Sequence, residues 1–191
     1  MEQPVTTPLS VWREDHINFA RLLDLLEEQV ILFDRGERPN YSLMSLIIYY
    51  LRSFGDRVHH PREDVAYARL VERDPGMQIV VSRLQQEHRV IATVGESLSD
   101  RLNEAQGDVI SSRAALEAAG AMYLVYYRNH LSTEERHAMP RAAQVLTRED
   151  WAAVDAAVPA SDDPLFGENV QERFAMLRKL IESEVGVSGH A

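Results

Sequence analysis

The chain has 191 residues, of which 45% are hydrophobic and 26% are charged, and it carries a formal net charge of −10. These values are ordinary for a globular protein and exclude a mainly disordered chain. Because cysteine is absent, disulfides, thiolate zinc sites and cysteine-ligated iron–sulfur clusters are excluded, and any metal must use nitrogen and oxygen ligands. The acidic balance argues against nucleic acid or an anionic membrane as a partner.

The first ten residues lack a basic start followed by an apolar stretch, so they do not look like a secretory signal. The longest apolar-rich run, residues 43–51, is about half of the roughly 20 residues that a helix needs to cross a bilayer. We therefore expect a cytoplasmic protein with no membrane partner.

Apolar residues recur at steps of three and four positions through four long segments, which predicts four long helices. Their predicted ends coincide with turn residues and prolines. The first helix ends near Gly36 and Pro39, the second covers about 43–71, the third about 78–104, and the fourth about 109–139 with Pro140 as its stop.

The tail is predicted to hold two shorter helices. One follows Thr147, which forms a capping signature with Asp150, and the other covers about 169–184. Four long helices with short connections favour an antiparallel four-helix bundle. We predict an all-α protein with an N-terminal extension (1–9), a bundle (10–140) and a C-terminal helical extension packed on the bundle (141–191).

A pattern of histidine and glutamate repeats along the chain. Two HxxxE motifs are each preceded, one helix earlier, by a lone histidine. The histidine-to-motif spacings are 43 and 42 residues, and the two halves are offset by 71 or 72 residues. The candidate metal ligands are His16, His59, Glu63, His88, His130 and Glu134.

Residues four apart lie on one face of a helix, so each HxxxE motif can present both side chains to one site. Two helical hairpins associating about a pseudo-twofold axis would bring four imidazoles and two carboxylates together. This ligand set suits iron, whereas calcium and magnesium prefer an all-oxygen set. Manganese and zinc remain compatible by ligand type.

Several segments resemble the hemerythrin-like HHE cation-binding family. They are Asp15-His16, His59-His60-Pro61-Arg62-Glu63-Asp64, Glu87-His88, and His130 with Glu134-Glu135. Residues 146–151 and 163–167 resemble the tail of bacterial members. The resemblance implies a four-helix bundle of hemerythrin-like type and an oxo- or hydroxo-bridged di-iron centre. It also implies that the four histidines are terminal ligands and that Glu63 and Glu134 bridge the irons.

The pattern departs from that of oxygen-carrying hemerythrins, which have a fifth histidine and an aspartate among their ligands. Leu84 and Ala92, one turn on either side of His88, offer no second ligand on that helix. The position left open could hold water, peroxide, nitric oxide or dioxygen, or a tyrosine could fill it. The candidate tyrosines are Tyr49, Tyr50, Tyr126 and Tyr127.

The remaining histidines are expected outside the ligand set. His60 should point about 100° away from His59 on an α-helix, His137 lies about two turns beyond His130, and His190 belongs to the tail. Asp15, Asp56 and Glu87 could accept an imidazole N–H, although surface solvation is the simpler role for each.

Pro61 lies inside the motif formed by His59 and Glu63. Since proline removes a helical hydrogen bond and clashes with the preceding turn, we expect the helix to bend or restart there.

The leading functional hypothesis is a metal-binding protein whose di-iron centre binds or responds to dioxygen, nitric oxide or peroxide, or handles iron under oxidative or nitrosative stress. One alternative is a catalase-like or peroxidase-like di-iron enzyme. A ferritin-like carboxylate enzyme is another, but that fold uses two ExxH motifs, and only Glu134 and His137 form one here. The last alternative is a metal-free helical interaction module with packed histidines.

Overall fold

A computed structural model describes residues 8–107 and 112–188, with side chains described up to residue 182. Residues 1–7, the predicted start of the fourth helix at Val109, and His190 lie outside the described residues. Within them the chain is helical and contains no β-strand. The α-helices are α1 (Pro8–Asp34), α2 (Tyr41–Tyr50), α3 (His60–Arg73), α4 (Gln78–Gln106), α5 (Arg113–Thr133), α6 (Met139–Val145), α7 (Arg148–Ala157) and α8 (Ala175–Ser188).

Two stretches of π-helix join α-helices without a break. The first π segment (Leu51–His59) joins α2 to α3, and the second π segment (Glu134–Ala138) joins α5 to α6. Short 3₁₀ turns, Pro75–Met77 and Glu172–Phe174, precede α4 and α8. Four long helical units therefore form the described bundle: α1, α2 through α3, α4, and α5 through α6.

The bundle is held together by contacts between these four units. α1 packs on α5, α2 packs on α4, and α4 packs along α5. Since consecutive units are joined by short connections, neighbouring units run in opposite directions. The all-α four-helix bundle predicted from the sequence is confirmed.

Local sequence explains where the helices begin and end. Gly36 follows α1 with φ of 71°, a left-handed conformation that glycine adopts without strain. The side chain of Asn40 accepts a hydrogen bond from the Leu43 N–H at the start of α2. At α7, Thr147 and Asp150 form the predicted capping box.

The expectations for the two prolines have different outcomes. The helix restarts at Pro61 as expected, since α3 begins at His60 directly after the first π segment, whereas Pro140 does not end the fourth unit, which continues to Val145. Each proline is the second residue of the α-helix that follows a π segment, where a missing N–H costs little. The wide π turns carry i→i+5 hydrogen bonds, from the His60 N–H to the Gly55 carbonyl and from the Met139 N–H to the Glu134 carbonyl.

The C-terminal segment packs on the bundle at two places. α7 packs against α3, and Val154 joins a small apolar cluster with Trp12, Ala66 and Met139. Farther along the chain, Leu165, Phe174, Leu177 and Ile181 are buried in the main core. None of the described helices is both long enough and apolar enough to span a membrane.

Candidate metal centre

The structure brings the six predicted ligand residues together in the interior of the bundle. All four helical units contribute to the cluster, and none of the six side chains is more than 6% exposed. They are His16 on α1, His59 at the end of the first π segment, Glu63 on α3, His88 on α4, His130 on α5 and Glu134 at the start of the second π segment.

The four imidazoles form two pairs. In the first pair, His16 Nε2 and His59 Nε2 lie 3.2 Å apart. In the second pair, His88 Nε2 and His130 Nε2 lie 3.1 Å apart. Each pair joins a lone histidine to the histidine of an HxxxE motif, as the repeat predicts.

Both glutamates lie between the pairs. Glu63 Oε1 is 3.1 Å from His59 Nε2, and its Oε2 is 3.6 Å from His88 Nε2, so its two oxygens face different pairs. Glu134 Oε2 is 3.2 Å from His130 Nε2 and 3.5 Å from His16 Nε2. Both carboxylates are therefore placed where they could bridge two metal ions.

The outer nitrogen of every paired imidazole faces a carboxylate. Within a hairpin, His59 Nδ1 is 2.9 Å from Asp15 and His130 Nδ1 is 3.4 Å from Glu87. Between hairpins, the contacts are His88 Nδ1 to Asp64 at 3.0 Å and His16 Nδ1 to Glu135 at 3.2 Å. A carboxylate at Nδ1 favours the tautomer that directs the Nε2 lone pair toward the centre.

Two of these carboxylates, Asp15 and Glu87, were among the candidates from the sequence. Each contacts the histidine of the neighbouring helix rather than the one that follows it in the chain. Asp64 and Glu135 were missed, although both follow a motif glutamate and repeat with the 71-residue offset.

The glutamates are buried without hydrogen-bond donors. All four of their side-chain oxygens have no hydrogen-bond partner within the described part of the chain. Burial raises the pKa of both groups, but the neighbouring imidazoles outweigh it, lowering the pKa of Glu63 well below its usual value and that of Glu134 to about 2. Two buried, ionised carboxylates require compensating positive charge.

The pKa values of the histidines also show that the buried carboxylates favour positive charge in the centre. Burial lowers the pKa of His16, but Glu135, Glu63 and Glu134 outweigh it and raise the value to about 10. Burial also lowers the pKa of His88, which Asp64, Glu134 and Glu63 raise to about 12. In the metal-free protein, the positive charge of the protonated imidazoles compensates the negative charge of the two glutamates.

The ligand spacing fits metal ions. Metal–nitrogen and metal–oxygen distances of about 2.1 Å place neighbouring ligand atoms about 3 Å apart. The separations within each pair and from His59 and His130 to their motif glutamates are 3.1–3.2 Å. With no cysteine in the chain, imidazole and carboxylate are the donors available, and they suit a transition metal.

His60 lies inside the centre, contrary to the expectation that it points away. It is 3% exposed, and its ring stacks on His88 with the centroids 4.3 Å apart. The error came from assuming an α-helix, because a π turn contains more residues and successive side chains diverge less. Asp56, expected near His59, lies with its Oδ1 3.4 Å from His60 Nδ1. Burial, together with the charges of His88 and His130, holds the pKa of His60 well below its usual value.

Three of the four tyrosine candidates are wrong. Tyr49 is 47% exposed and Tyr126 is 40% exposed, whereas Tyr50 donates a hydrogen bond to Asp163 over 2.7 Å. Tyr127 is buried, with its ring 6.4 Å from that of His130. Tyr67 was not predicted from the sequence, yet its hydroxyl is buried without a hydrogen-bond partner among the described residues, and burial together with Glu134 and Glu63 raises its pKa.

Comparison with known families agrees with this geometry. The model of the hemerythrin HHE cation-binding domain matches residues 7–142. The chain belongs to this hemerythrin family. A search of curated proteins found no match. The family's cation-binding character and the buried His/Glu cluster together identify a metal site in this hemerythrin-like protein.

A surface pocket of about 230 Å³ leads to the first pair of this hemerythrin-like centre. Its lining includes Trp12, Asp15, His59, Arg62 and Ser161. Arg62 donates hydrogen bonds to Asp155, over 2.6 Å, and to the Val158 carbonyl. The C-terminal segment therefore forms part of the wall beside the metal centre.

Proposed function

We propose that the chain holds two iron ions between the imidazole pairs. The centre would take up dioxygen, nitric oxide or peroxide, or handle iron under oxidative or nitrosative stress. The observation that carries this proposal is a set of four buried glutamate oxygens that face four Nε2 atoms and have no hydrogen-bond partner in the described part of the bundle. Only a cation or added protons can satisfy so many converging acceptors.

The residues divide the work between binding and orientation. His16 and His59 would hold one metal, His88 and His130 the other, and Glu63 and Glu134 would bridge them. With metal bound, Asp15, Asp64, Glu87 and Glu135 would hold the imidazoles in the tautomer that leaves the Nε2 lone pair free on the inner side. When bound, an iron pair supplies reversible binding of a small ligand and one-electron changes of oxidation state.

Apolar side chains limit water around the first pair. The Phe19 ring lies 5.0 Å from that of His59, and the Trp12 ring lies 6.1 Å from it. Both aromatic residues are at most 2% exposed. These rings pack the interior beside His59, so we expect only a small ligand to reach the centre from this side.

The geometry disfavours two of the alternatives. A metal-free interaction module would bury two ionised carboxylates without a functional reason. A ferritin-like site would require His137 as a ligand, but this side chain is exposed. The hypothesis of a peroxide-consuming enzyme requires the same metal centre and differs from the binding hypothesis only in that the centre turns over substrate.

The deciding experiment is metal analysis with a visible absorption spectrum, on protein from iron-supplemented cells. We expect about two irons per chain and charge-transfer bands, both lost in a His59→Ala/His130→Ala variant. His137→Ala is the matched control, because it removes an exposed histidine. Protein without metal, or equal metal in the double variant, would overturn the proposal.

Adding nitric oxide, dioxygen or peroxide to the iron-loaded protein then distinguishes ligand binding from enzymatic turnover. Spectral change in proportion to added nitric oxide or dioxygen supports binding, whereas continuous peroxide loss supports the enzyme. The cytoplasmic location remains a prediction, which cell fractionation would test.

A further inference from the structure

His60 shares two geometric features with the four paired histidines. Each of those has a carboxylate at Nδ1 and an inward-facing Nε2. The nearest carboxylate oxygen to its Nδ1 belongs to Asp56, 3.4 Å away, and its Nε2 is buried without a hydrogen-bond partner among the residues that the structure describes. A buried nitrogen left without a partner is unfavourable, so its position calls for a ligand on that side.

His60 is associated with the second pair. Its ring is nearly parallel to His88, at 12°, and its centroid lies 5.3 Å from that of His130. One ligand atom from each of His60, Glu63, His88 and His130 lies within 4.8 Å of all the others. The corresponding group at the first pair contains His16, His59 and Glu63.

The internal repeat is broken at this position. Applying the 71-residue offset to His60 leads to Leu131, which is buried and apolar. A leucine is sufficient for packing next to the motif histidine in the second half. The imidazole in the first half therefore has a role beyond filling space.

We propose that His60 is a fifth imidazole ligand and binds the metal held by His88 and His130. This inference rests on the proposed function. The second-pair metal then has three nitrogen ligands and the first-pair metal has two. The two metals would therefore have unequal numbers of imidazole ligands.

Proton NMR of the cobalt(II)-loaded wild-type protein tests this directly. Each imidazole bound through Nε2 keeps an Nδ1–H, which the paramagnetic metal shifts far outside the normal spectral range. We expect five such resonances that disappear on exchange into deuterated water. Four would overturn the inference while leaving the proposed function intact, and none would overturn the proposed function as well.

Variants assign the fifth resonance. His60→Gln retains a polar side chain of similar size, and His60→Leu places here the residue type found at the repeat position. In either variant that folds, one of the five resonances is lost and the other four remain, and His137→Gln leaves all five. Five resonances in the folded His60 variants would overturn the assignment. The wild-type count of four or five decides the inference even if neither variant folds.

Discussion

Each imidazole of the centre is oriented by a charged residue that is not a candidate ligand. Asp15 and Glu87 are largely buried, whereas the side chains of Asp64 and Glu135 are 41% and 47% exposed. Exposure weakens the electrostatic part of a contact, but it does not change the tautomer that the carboxylate selects. Metal affinity should therefore depend on residues that never touch the metal.

Replacing an orienting carboxylate should weaken metal binding without abolishing it. We expect Asp15→Asn and Asp64→Asn each to lower the affinity for metal by roughly 10-fold to 100-fold, because the imidazole becomes less basic and less fixed. Competition with a chromogenic chelator measures this. Asp100→Asn, at an exposed position, is the control, and unchanged affinity in both orienting variants would contradict the prediction.

The repeated histidines and glutamates could be predicted because residue type and spacing are read directly from the sequence. The partners of those histidines could not, since Asp15 contacts His59 and Glu135 contacts His16 across gaps of 44 and 119 residues. Contacts of this kind depend on how helices are rotated about their axes. The same uncertainty led to Tyr49 and Tyr126, which face solvent.

At the level of secondary structure, the two π segments determine how the side chains of the HxxxE motifs are oriented. His59 is the last residue of the first π segment and Glu134 the first residue of the second. The hydrophobic pattern gave the long helices within a few residues, but it assumes a uniform helical period. A local change of period was therefore invisible, and with it the inward position of His60.

Arg62 connects α3 to the C-terminal segment and should control both stability and access. Arg62→Met keeps much of the apolar stem but removes the hydrogen bonds to Asp155 and Val158. We expect a loss of about 1–3 kcal/mol in the free energy of unfolding, since one bond involves a charged pair. Urea unfolding measures this loss.

The same variant should also bind nitric oxide faster when loaded with iron, because the wall of the pocket is released. Stopped-flow absorption measures this rate. Arg35→Met, at an exposed position after α1, is the control. Wild-type stability together with a wild-type rate in Arg62→Met would show that this contact neither fastens the segment nor limits access.

For the whole molecule, metal loading is linked to protons. The pKa values of His16, about 10, and His88, about 12, lie above neutral pH in the metal-free protein, so both imidazoles carry protons near pH 7. A metal needs the lone pairs that these protons occupy. Burial lowers the pKa of His59 and His130 as well, but the neighbouring carboxylates outweigh it and raise both values. We therefore expect release of at least about two protons per chain on loading near pH 7, measured in a pH-stat.

The pH dependence has opposite signs for the two forms. A raised histidine pKa stabilises the metal-free fold fully below the ordinary value of 6.5, and this stabilisation is lost as the pH rises through about 10 for His16. Metal binding strengthens over the same interval, because fewer protons compete for the ligands. Melting temperatures of the two forms between these pH values would reveal the divergence, and parallel curves would contradict it.

The contacts between hairpins have a consequence for how the chain can be divided. Asp64 orients His88 and Glu135 orients His16, so neither hairpin has a complete set of oriented ligands by itself. If the chain were cut at the 3₁₀ turn before α4, each piece would retain three of the six ligands and would lack one carboxylate that its own histidines need. The two pieces would then be a split protein in which metal binding adds to the packing of α1 on α5 and of α2 on α4 in holding them together.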